Sequence, residues 1–435
     1  MGKHTGGLVL LGAIGLLGLM WAQAGWPSWY GLAAMSVFAA KIILSWHPRP
    51  VTANPENGPG QANLRVGVAV PVFNEDPAML VACLESLLAQ TRPVASVVVI
   101  DDCSADPCAL AQAQDLRDRF DTAGIDLITE RFEQNRGKRH ALMRALGLQP
   151  DVDVLLGVDS DTIVDPCAVA RLARAYDQPG VTVVTGLVLA WNHNKNLLTR
   201  LIDLRYAQAF LVDRGAQSRL GSMLCACGSL ALYSADVLRK YRPDFLGQRF
   251  LGRPAIFGDD RRLTNYCLLE GKAILEETAI AYTAVPEHLG HFLRQQIRWN
   301  KSFFRESLWV LRFMPIRKPA FWFTFLELAT WIIFTGTLLY ALIVAPMLTA
   351  ELFFGPYLAY LALIAYARAF RCPDLTGIRP SRKDRWLGFA IAPLYGLLHF
   401  GILIWLRIWA LLTLRHGTWG TRQHVEVTLD NQTVT

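Results

Sequence analysis

Three short acidic motifs carry the side chains most suited to chemistry in this sequence. The motif "VDSD" places Asp159 and Asp161 directly after the apolar run Val154–Val158. Two carboxylates separated by one residue at a strand end can face one cleft and offer the hard oxygen ligands that Mg²⁺ or Mn²⁺ prefers. An Asp-rich turn that caps the next helix is the alternative interpretation. Asp165, before Pro166, can provide that cap by itself, which leaves Asp159 and Asp161 free for another role.

The second motif, "IDDCS", places Asp101 and Asp102 at the end of another apolar run. A carboxylate at this point can accept a hydrogen bond from the N3–H group of a uracil ring and so select a nucleotide. A helix N-cap formed by Ser104 or Asp106 explains the motif equally well.

The third motif, "FGDD", places Asp259 and Asp260 before a helical pattern. Two adjacent carboxylates raise each other's pKa when they are partly buried. One of the two is therefore a candidate general base toward a hydroxyl group, while the other orients its neighbours. A pair of N-capping acids is the structural alternative.

A basic and aromatic segment, "RQQIRWNKSFFRES", follows the acidic motifs. It brings Arg294, Arg298, Lys301 and Arg305 together with Trp299. Guanidinium groups suit a diphosphate, and an indole face suits stacking on a sugar ring. A basic amphipathic helix at a membrane surface is the alternative, and both interpretations can hold together.

These motifs need a scaffold that brings strand ends together, and the apolar pattern predicts one. Strand-like runs alternate with helical patterns through the central region, the strands being "RVGVAVPVFNE", "ASVVVIDDCS", "IDLITE" and "VDVLLGVDSDT". This repetition predicts a largely parallel sheet with helices on both faces. The ligand of such a sheet lies beyond the carboxyl ends of the strands, where the acids fall. The sequence has no "GxxxxGK" or "GxGxxG" loop to hold phosphates.

Long uncharged stretches at both ends of the chain predict membrane-spanning helices. The 435 residues are 52% hydrophobic and only 18% charged, which is apolar for a soluble protein. Thr5–Ala40 carries no charge, and Pro27 divides it into two segments near the roughly 20 residues that a spanning helix needs. A cleaved signal peptide is the alternative for the first segment. Uncharged segments recur at Leu328–Ala350, Leu352–Ala367 and Trp386–Leu406.

The distribution of charge predicts the orientation of these segments. Residues 371–385 are rich in lysine and arginine, and the positive-inside rule places them in the cytosol. Two spans at each end then leave both termini and the central domain cytosolic. One more crossing would export the tail, so residues 386–414 are predicted to form an oblique or interfacial helix. The net charge of +7 indicates anchoring to acidic membrane lipids, and nucleic acid is not expected as a partner.

The predicted organisation is a cytosolic α/β domain enclosed by membrane elements. Its boundaries are two transmembrane helices in 1–48, the cytosolic domain in 49–290, the interfacial helix in 291–318, two transmembrane helices in 319–370, the basic linker in 371–385, an interfacial helix in 386–414 and a cytosolic tail in 415–435. All eight cysteines lie outside the predicted spans, and a cytosolic location predicts free thiols.

The motifs, taken in order, resemble those of the processive, membrane-bound family-2 glycosyltransferases. "DDCS", "DSD", "GDD" and Gln295-x-x-Arg298-Trp299 carry this resemblance. The family includes cellulose, chitin and hyaluronan synthases and the rhizobial chitooligosaccharide synthases. Longer segments, such as "NLLTRLIDLRYAQAF", "RWNKSFFRES" and the terminal "WGTR", are most similar to bacterial hyaluronan synthases. The resemblance implies a GT-A-like catalytic domain in the cytosol, held in the cell membrane by several spans.

The resemblance also implies a role for each matching residue. The matching residues are Asp159 and Asp161 for the metal, Asp101 and Asp102 for uridine, Lys138 for the donor, Asp260 as general base, Gln295 and Arg298 for the diphosphate motif, Trp299 for acceptor stacking, and Trp419 and Arg422 for a gating segment. Two positions depart from the family pattern. Cys103 replaces the usual glycine after the acid pair, and "CGS" at Cys227–Ser229 is closer to the chitooligosaccharide enzymes.

The predicted function is therefore processive, inverting transfer of GlcNAc and GlcA from UDP-GlcNAc and UDP-GlcA to a growing polysaccharide. Export of that polymer across the membrane is expected to accompany transfer. One alternative is a chitin-oligosaccharide synthase that uses UDP-GlcNAc alone. Another is a non-catalytic membrane transporter or sensor gated by a nucleotide sugar.

Overall fold

The structure is a computed structural model that describes residues 28–46, 64–340, 343, 362, 364–372, 375 and 381–416. The first predicted N-terminal span and the tail with Trp419 and Arg422 lie outside these residues. Of the predicted span in 352–367, only the end is described.

A mixed sheet of eight strands forms the centre of the protein, in the order β3-β2-β1-β4-β7-β6-β10-β5. A separate hairpin pairs β8 with β9. The strands are β1 Val66–Val72, β2 Ser96–Asp101, β3 Asp126–Arg131, β4 Val154–Gly157, β5 Thr162–Val164, β6 Val181–Ala190, β7 Ala231–Ser234, β8 Arg249–Phe250, β9 Arg253–Pro254 and β10 Lys272–Thr283.

The four strands predicted from sequence are β1 to β4, and all four run parallel to one another in one half of the sheet. β1 shows why these runs become strands, because its side chains alternate between two apolar cores. Val66, Val68 and Val70 belong to one core, whereas Ala69 belongs to the other. The prediction of helices on both faces is thereby confirmed.

The other half of the sheet departs from the predicted parallel order. β7 lies antiparallel between β4 and β6, and the edge strand β5 lies antiparallel to β10. β6 and β10 are parallel to each other. The sheet is thus mostly parallel, as predicted. The sequence pattern identified none of the four strands in this half, of which β5 and β7 are short and antiparallel.

Helices follow the strands as the periodicity predicts. The helices are α1 Ser28–Trp46, α2 Pro77–Leu88, α3 Cys108–Asp115, α4 Arg117–Thr122, α5 Lys138–Gly147, α6 Ala168–Tyr176, α7 Leu197–Gln208, α8 Gly215–Arg219, α9 Ala235–Leu246, α10 Asp259–Glu270, α11 Leu289–Phe313, α12 Pro319–Leu339, α13 Arg382–Ala390, α14 Ala392–Leu398 and α15 Ile404–Leu412. Two π-helical segments, Ala209–Arg214 and His399–Leu403, continue α7 and α14. Asp165 accepts the amide of Cys167, but Cys167 is the N-cap of α6 and makes no side-chain cap hydrogen bond. The prediction that Asp165 caps this helix is therefore wrong, because Asp165 lies two residues before the cap and binds the turn that precedes it.

Two helical stretches are long and apolar enough to cross a membrane, by length and composition. They are Pro319–Gly336, within α12, and Lys383–Leu412, which runs from α13 to α15. The second stretch breaks at Ile391, just before Pro393, where the sequence predicted an interruption. The oblique or interfacial position of residues 386–414 at the membrane stays a prediction.

Candidate active site

Three charged side chains meet at the carboxyl ends of the strands, and we call Lys138, Asp159 and Asp260 the rim cluster. Asp159 follows β4, Lys138 begins α5 and Asp260 lies in the first turn of α10. The Lys138 ammonium lies 2.5 Å from Asp159 Oδ1 and 3.9 Å from Asp260 Oδ1. The structure therefore brings together three residues that are far apart in sequence and were each predicted to act on substrate.

The backbone at Gly228 lies against this cluster. A Cβ atom at position 228 would lie 2.5 Å from Asp260 Oδ1 and 2.7 Å from Lys138 Nζ. The next residue, Ser229, donates from Oγ to Asp159 Oδ2 at 2.8 Å. The "CGS" motif thus forms a wall of the cluster, and a side chain at position 228 would displace the two charges.

Asp161 turns toward the same rim from the other side of Ser160. Its Oδ1 accepts hydrogen bonds from Thr283 at 3.0 Å and from Thr162 at 3.3 Å. Within the described residues, no group of three or more His, Cys, Asp or Glu side chains converges on a metal position. The donor set of Asp159 and Asp161 still fits Mg²⁺ or Mn²⁺, because such ions complete their coordination with water and substrate phosphates.

The acid pair at the end of β2 is buried and bonded to the chain. Asp101 accepts from the amide and hydroxyl of Ser104 and lies 3.2 Å from the Arg131 guanidinium. Asp102 accepts from the amides of Arg136 and Gly137, at 2.6 and 2.7 Å. Burial raises the pKa of Asp102 above its ordinary value, although these two amides oppose the change. Through its hydrogen bonds with these two amides, Asp102 positions the loop that leads into Lys138.

The two acids of "GDD" have different surroundings. Asp259 is buried and accepts two bonds from the Arg139 guanidinium, at 3.0 and 2.6 Å. Asp260 belongs to the rim cluster instead. Burial raises the pKa of its carboxyl group there, despite the lowering effect of Lys138. Neither acid is the N-cap, since Gly258 occupies that position in a left-handed conformation with a φ of 89°.

Helix α11 carries the basic and aromatic motif. Trp299 is 44% exposed, and its ring lies 6.2 Å from that of Tyr206 on α7. Burial, then the charges of Cys227, Asp161 and Asp159, raises the pKa of Tyr206. Tyr206 thus contacts the predicted stacking residue, and the charges of the two acids act on its hydroxyl group. Gln295 and Arg298 lie on the same helix, within one turn of Trp299.

Two cations of this motif are not available to a diphosphate. Arg305 is buried and pairs with the Glu306 carboxylate at 2.8 Å. Lys301 donates to the backbone carbonyl of His416 at 2.7 Å. The sequence assigned no site role to either residue, and helical periodicity turns both toward the protein.

Two residues near the rim were given no role from sequence. Glu75, after β1, is buried and accepts from Ser160 Oγ at 2.5 Å, so it fixes the turn between Asp159 and Asp161. Tyr206 lay within a segment that was quoted only for its resemblance. An acid directly after an apolar strand was the available signal for Glu75, whereas the place of Tyr206 depends on the packing of α7 against α11.

The overall fold defines the class of the protein. The structure aligns with a mannosyltransferase from Pyrobaculum calidifontis, solved in complex with GDP-Man and Mn2+, with a TM-score of 0.56 and 18% identity. The alignment covers 89% of this chain and 98% of that chain. A mostly parallel sheet with acids at its carboxyl edge is thus the fold of a GT-A glycosyltransferase.

Sequence comparison then assigns the family. A family model described as "Glycosyltransferase like family 2" matches residues 63–302. The chain is 34% identical over 406 residues to a hyaluronan synthase of Streptococcus pyogenes, covering 92% of this chain and 91% of that protein. It is also 34% identical to an N-acetylglucosaminyltransferase of Azorhizobium caulinodans, over 82% of this chain and 87% of that protein. The chain belongs to glycosyltransferase family 2 and is an enzyme, which excludes the non-catalytic alternative.

Proposed function

We propose that this enzyme is a hyaluronan synthase, which adds GlcNAc and GlcA from UDP-GlcNAc and UDP-GlcA to a growing polysaccharide. The observation that carries the proposal is the rim cluster, in which Lys138 joins the carboxylates of Asp159 and Asp260. Sugar transfer needs a base and groups that bind the leaving diphosphate within one small space. The similarity to hyaluronan synthases over 92% of the chain supports the choice of sugars.

In the proposed reaction, Asp260 accepts the proton of the acceptor hydroxyl group. The hydroxyl oxygen attacks the anomeric carbon from the face opposite UDP, the bond from carbon to the diphosphate oxygen breaks, and UDP departs with the bonding electrons. The raised pKa of Asp260 suits this role, because a base works best when its pKa lies nearer the working pH. The configuration at the anomeric carbon is inverted.

The remaining site residues are proposed to bind the donor and the acceptor. Arg298, beside Gln295, and Lys138 would neutralise the diphosphate, and Trp299 would stack on the acceptor sugar. Asp159 and Asp161 would hold Mg²⁺ or Mn²⁺, which would supply further positive charge to the leaving group.

The uridine and gating assignments are proposed with them. Asp101 and Asp102 are proposed to recognise uridine, as acids at the end of β2. Their burial within the rim supports a fixed recognition surface rather than a flexible one. Trp419 and Arg422 stay predicted members of a gating segment.

The enzyme is proposed to be a multi-pass protein of the cell membrane with its catalytic domain in the cytosol. The candidate span in α12 begins at Pro319, directly after α11, which carries Trp299. This continuity supports passage of the growing chain from the acceptor site into the membrane. Purified enzyme in liposomes should deposit polymer on the side opposite its catalytic domain, and polymer found only on the catalytic side would contradict coupled export.

Labelled donors, supplied singly and together to membranes that contain the protein, test the choice of sugars. Long polymer is expected only when UDP-GlcNAc and UDP-GlcA are both present, and hyaluronidase should degrade it. The experiment needs a control membrane with the Asp260→Asn variant, which should release no UDP above background.

A chitin-oligosaccharide synthase is the second candidate. The relative from Azorhizobium caulinodans and the "CGS" wall beside Asp260 favour it. Polymer or oligomer formed from UDP-GlcNAc alone, and degraded by chitinase, would replace the hyaluronan proposal with this one.

A further inference from the structure

Arg305 contacts the backbone just before the predicted general base. Its guanidinium donates to the carbonyl oxygen of Phe257 and lies over the ring of that residue, 5.3 Å from the centroid. Phe257 precedes Gly258, at which the chain turns into α10 and presents Asp260 in the first helical turn. One side chain of α11 thus binds the turn from which Asp260 projects.

The turn fits against α11 without spare room. A Cβ atom at Gly258 would collide with Ser302 Oγ and lie 2.6 Å from an Arg305 guanidinium nitrogen. Gly258 also has a φ of 89°, a conformation that other residues rarely adopt. The position of the turn is therefore set by contact with α11 and not by α10 alone.

Glu306 fixes the orientation of Arg305. Its Oε1 accepts from Arg305 Nε at 2.8 Å and from Gln248 at 2.9 Å. Its Oε2 accepts from Arg262 Nε on α10 at 2.7 Å. We call Glu306, Arg262 and Arg305 the Glu306 cluster. Because the Glu306 carboxylate binds groups from both helices, it orients the guanidinium of Arg305.

The same helix also carries Trp299 and Arg298, about 10 Å along the axis from Arg305. A continuous helix is rigid over this distance, so α11 relates the acceptor side of the site to the turn that presents Asp260. We propose that Arg305, oriented by Glu306, is a positioning residue that sets where the Asp260 carboxylate stands relative to the sugar bound at Trp299. The inference rests on the proposed function of Asp260 and Trp299.

Arg305→Lys tests this role with the least disturbance. A lysine keeps the charge beside Glu306 but cannot bond that carboxylate and the Phe257 carbonyl with a fixed planar fork. Misplacing a catalytic group by about 1 Å costs about 100-fold in rate. We expect kcat for UDP release with both donors to fall at least about tenfold, while the Kd of UDP-GlcNAc, measured by calorimetry, stays within about twofold.

Arg312→Lys is the matched control, because it is the same substitution on the same helix. Arg312 is exposed, and its guanidinium lies over the ring of Phe313, outside the Glu306 cluster. Its kcat and Kd should equal those of the unmodified enzyme. If Arg305→Lys does not purify as a folded protein, Glu306→Asp replaces it. The shorter side chain moves the carboxylate away from Arg305, which stays in the chain, and we again expect kcat to fall while the Kd of UDP-GlcNAc stays unchanged.

Two results would overturn the inference. One is an unchanged kcat in folded Arg305→Lys and Glu306→Asp proteins, and the other is an equal loss of kcat and donor affinity. Adding Arg305→Lys to Asp260→Asn should cause no further loss, because Arg305 acts through Asp260. Full turnover by Asp260→Asn alone would refute the proposed function instead, so the two failures are distinguishable.

Discussion

Helix α10 contributes one side chain to each of two charged clusters, and the two are neutralised to opposite degrees. In the rim cluster, two carboxylates share the single ammonium group of Lys138. In the Glu306 cluster, one carboxylate binds two guanidinium groups. The side chains of the rim cluster are 24 to 34% exposed, whereas those of Glu306 and its arginines are 2 and 6% exposed.

The difference separates a place for reaction from a place for support. The rim cluster has an excess of negative charge and open surface, so a bound cation can still improve its electrostatic balance. The Glu306 cluster is closed, and each charged group already has partners, as a buried ion pair requires. A substitution in the rim cluster should reduce the rate of sugar transfer with little change in the free energy of unfolding. A substitution that breaks the Glu306 cluster should lower the free energy of unfolding.

The largest expected effect comes from Asp260→Asn, which keeps the shape of the side chain and removes the base. Transfer should fall by about 10²- to 10⁴-fold, with little change in the thermal midpoint. UDP release and circular dichroism on purified protein measure the two effects. Asp236→Asn is the control, since that carboxylate is 91% exposed on α9, and equal activity of both variants would contradict the comparison.

Asp161→Asn should also reduce transfer severely while the protein stays folded. Treatment with EDTA should have a similar effect on the unmodified enzyme, and added Mg²⁺ or Mn²⁺ should restore activity only where Asp161 is intact. Asp165→Asn is the matched control from the same segment, because its carboxylate binds the turn that precedes α6. Metal-independent turnover would remove the metal from the proposal.

Glu306→Gln should act on stability rather than on chemistry alone. Removing one partner of a buried ion pair costs about 3–5 kcal/mol, which a fall in the thermal midpoint at neutral pH would report. A small change in the midpoint would show that the cluster does not support α10.

The Glu306 cluster also predicts a pH dependence of stability. Burial alone would raise the pKa of Glu306, but Arg262 and Arg305 hold it below its ordinary value. The stabilisation is thus fully present above the unfolded value, about pH 4.3, and is lost as the pH falls through the lower folded value. Thermal midpoints measured from pH 7 downward should show a larger fall in the unmodified protein than in Glu306→Gln.

The smallest expected effect is at Cys103, beside the acid pair. Cys103 has a φ of 64°, which costs a residue with a side chain about 1–3 kcal/mol. Cys103→Gly should relieve that strain, and after the greater flexibility of glycine in the unfolded chain is included, stability should rise by about 1 kcal/mol. Cys108→Ala, at an exposed cysteine, is the control, and a lower midpoint for Cys103→Gly would show that the thiol contact to Glu133 matters more.

Much of the fold could be predicted because local pattern and final environment agree in one half of the sheet. β1 to β4 are apolar runs followed by polar residues, and such runs become buried parallel strands with their acids at one edge. β5 and β7 have three and four residues, too few for a periodic signal. Their antiparallel places depend on the strands beside them, and no local pattern states which neighbours those are.

The sequence by itself determined the class of chemistry. Acidic residues that directly follow apolar strands lie at the carboxyl edge of a parallel sheet, where they are accessible to a ligand. It also determined which residue types are present at the site. Only the tertiary structure decided how they divide: Lys138 joins Asp159 to Asp260, Asp259 pairs with Arg139, and Arg305 supports a turn instead of facing substrate. The reason is physical, since neighbouring residues on a helix face different directions, and which of those directions is buried is set by the elements packed against the helix.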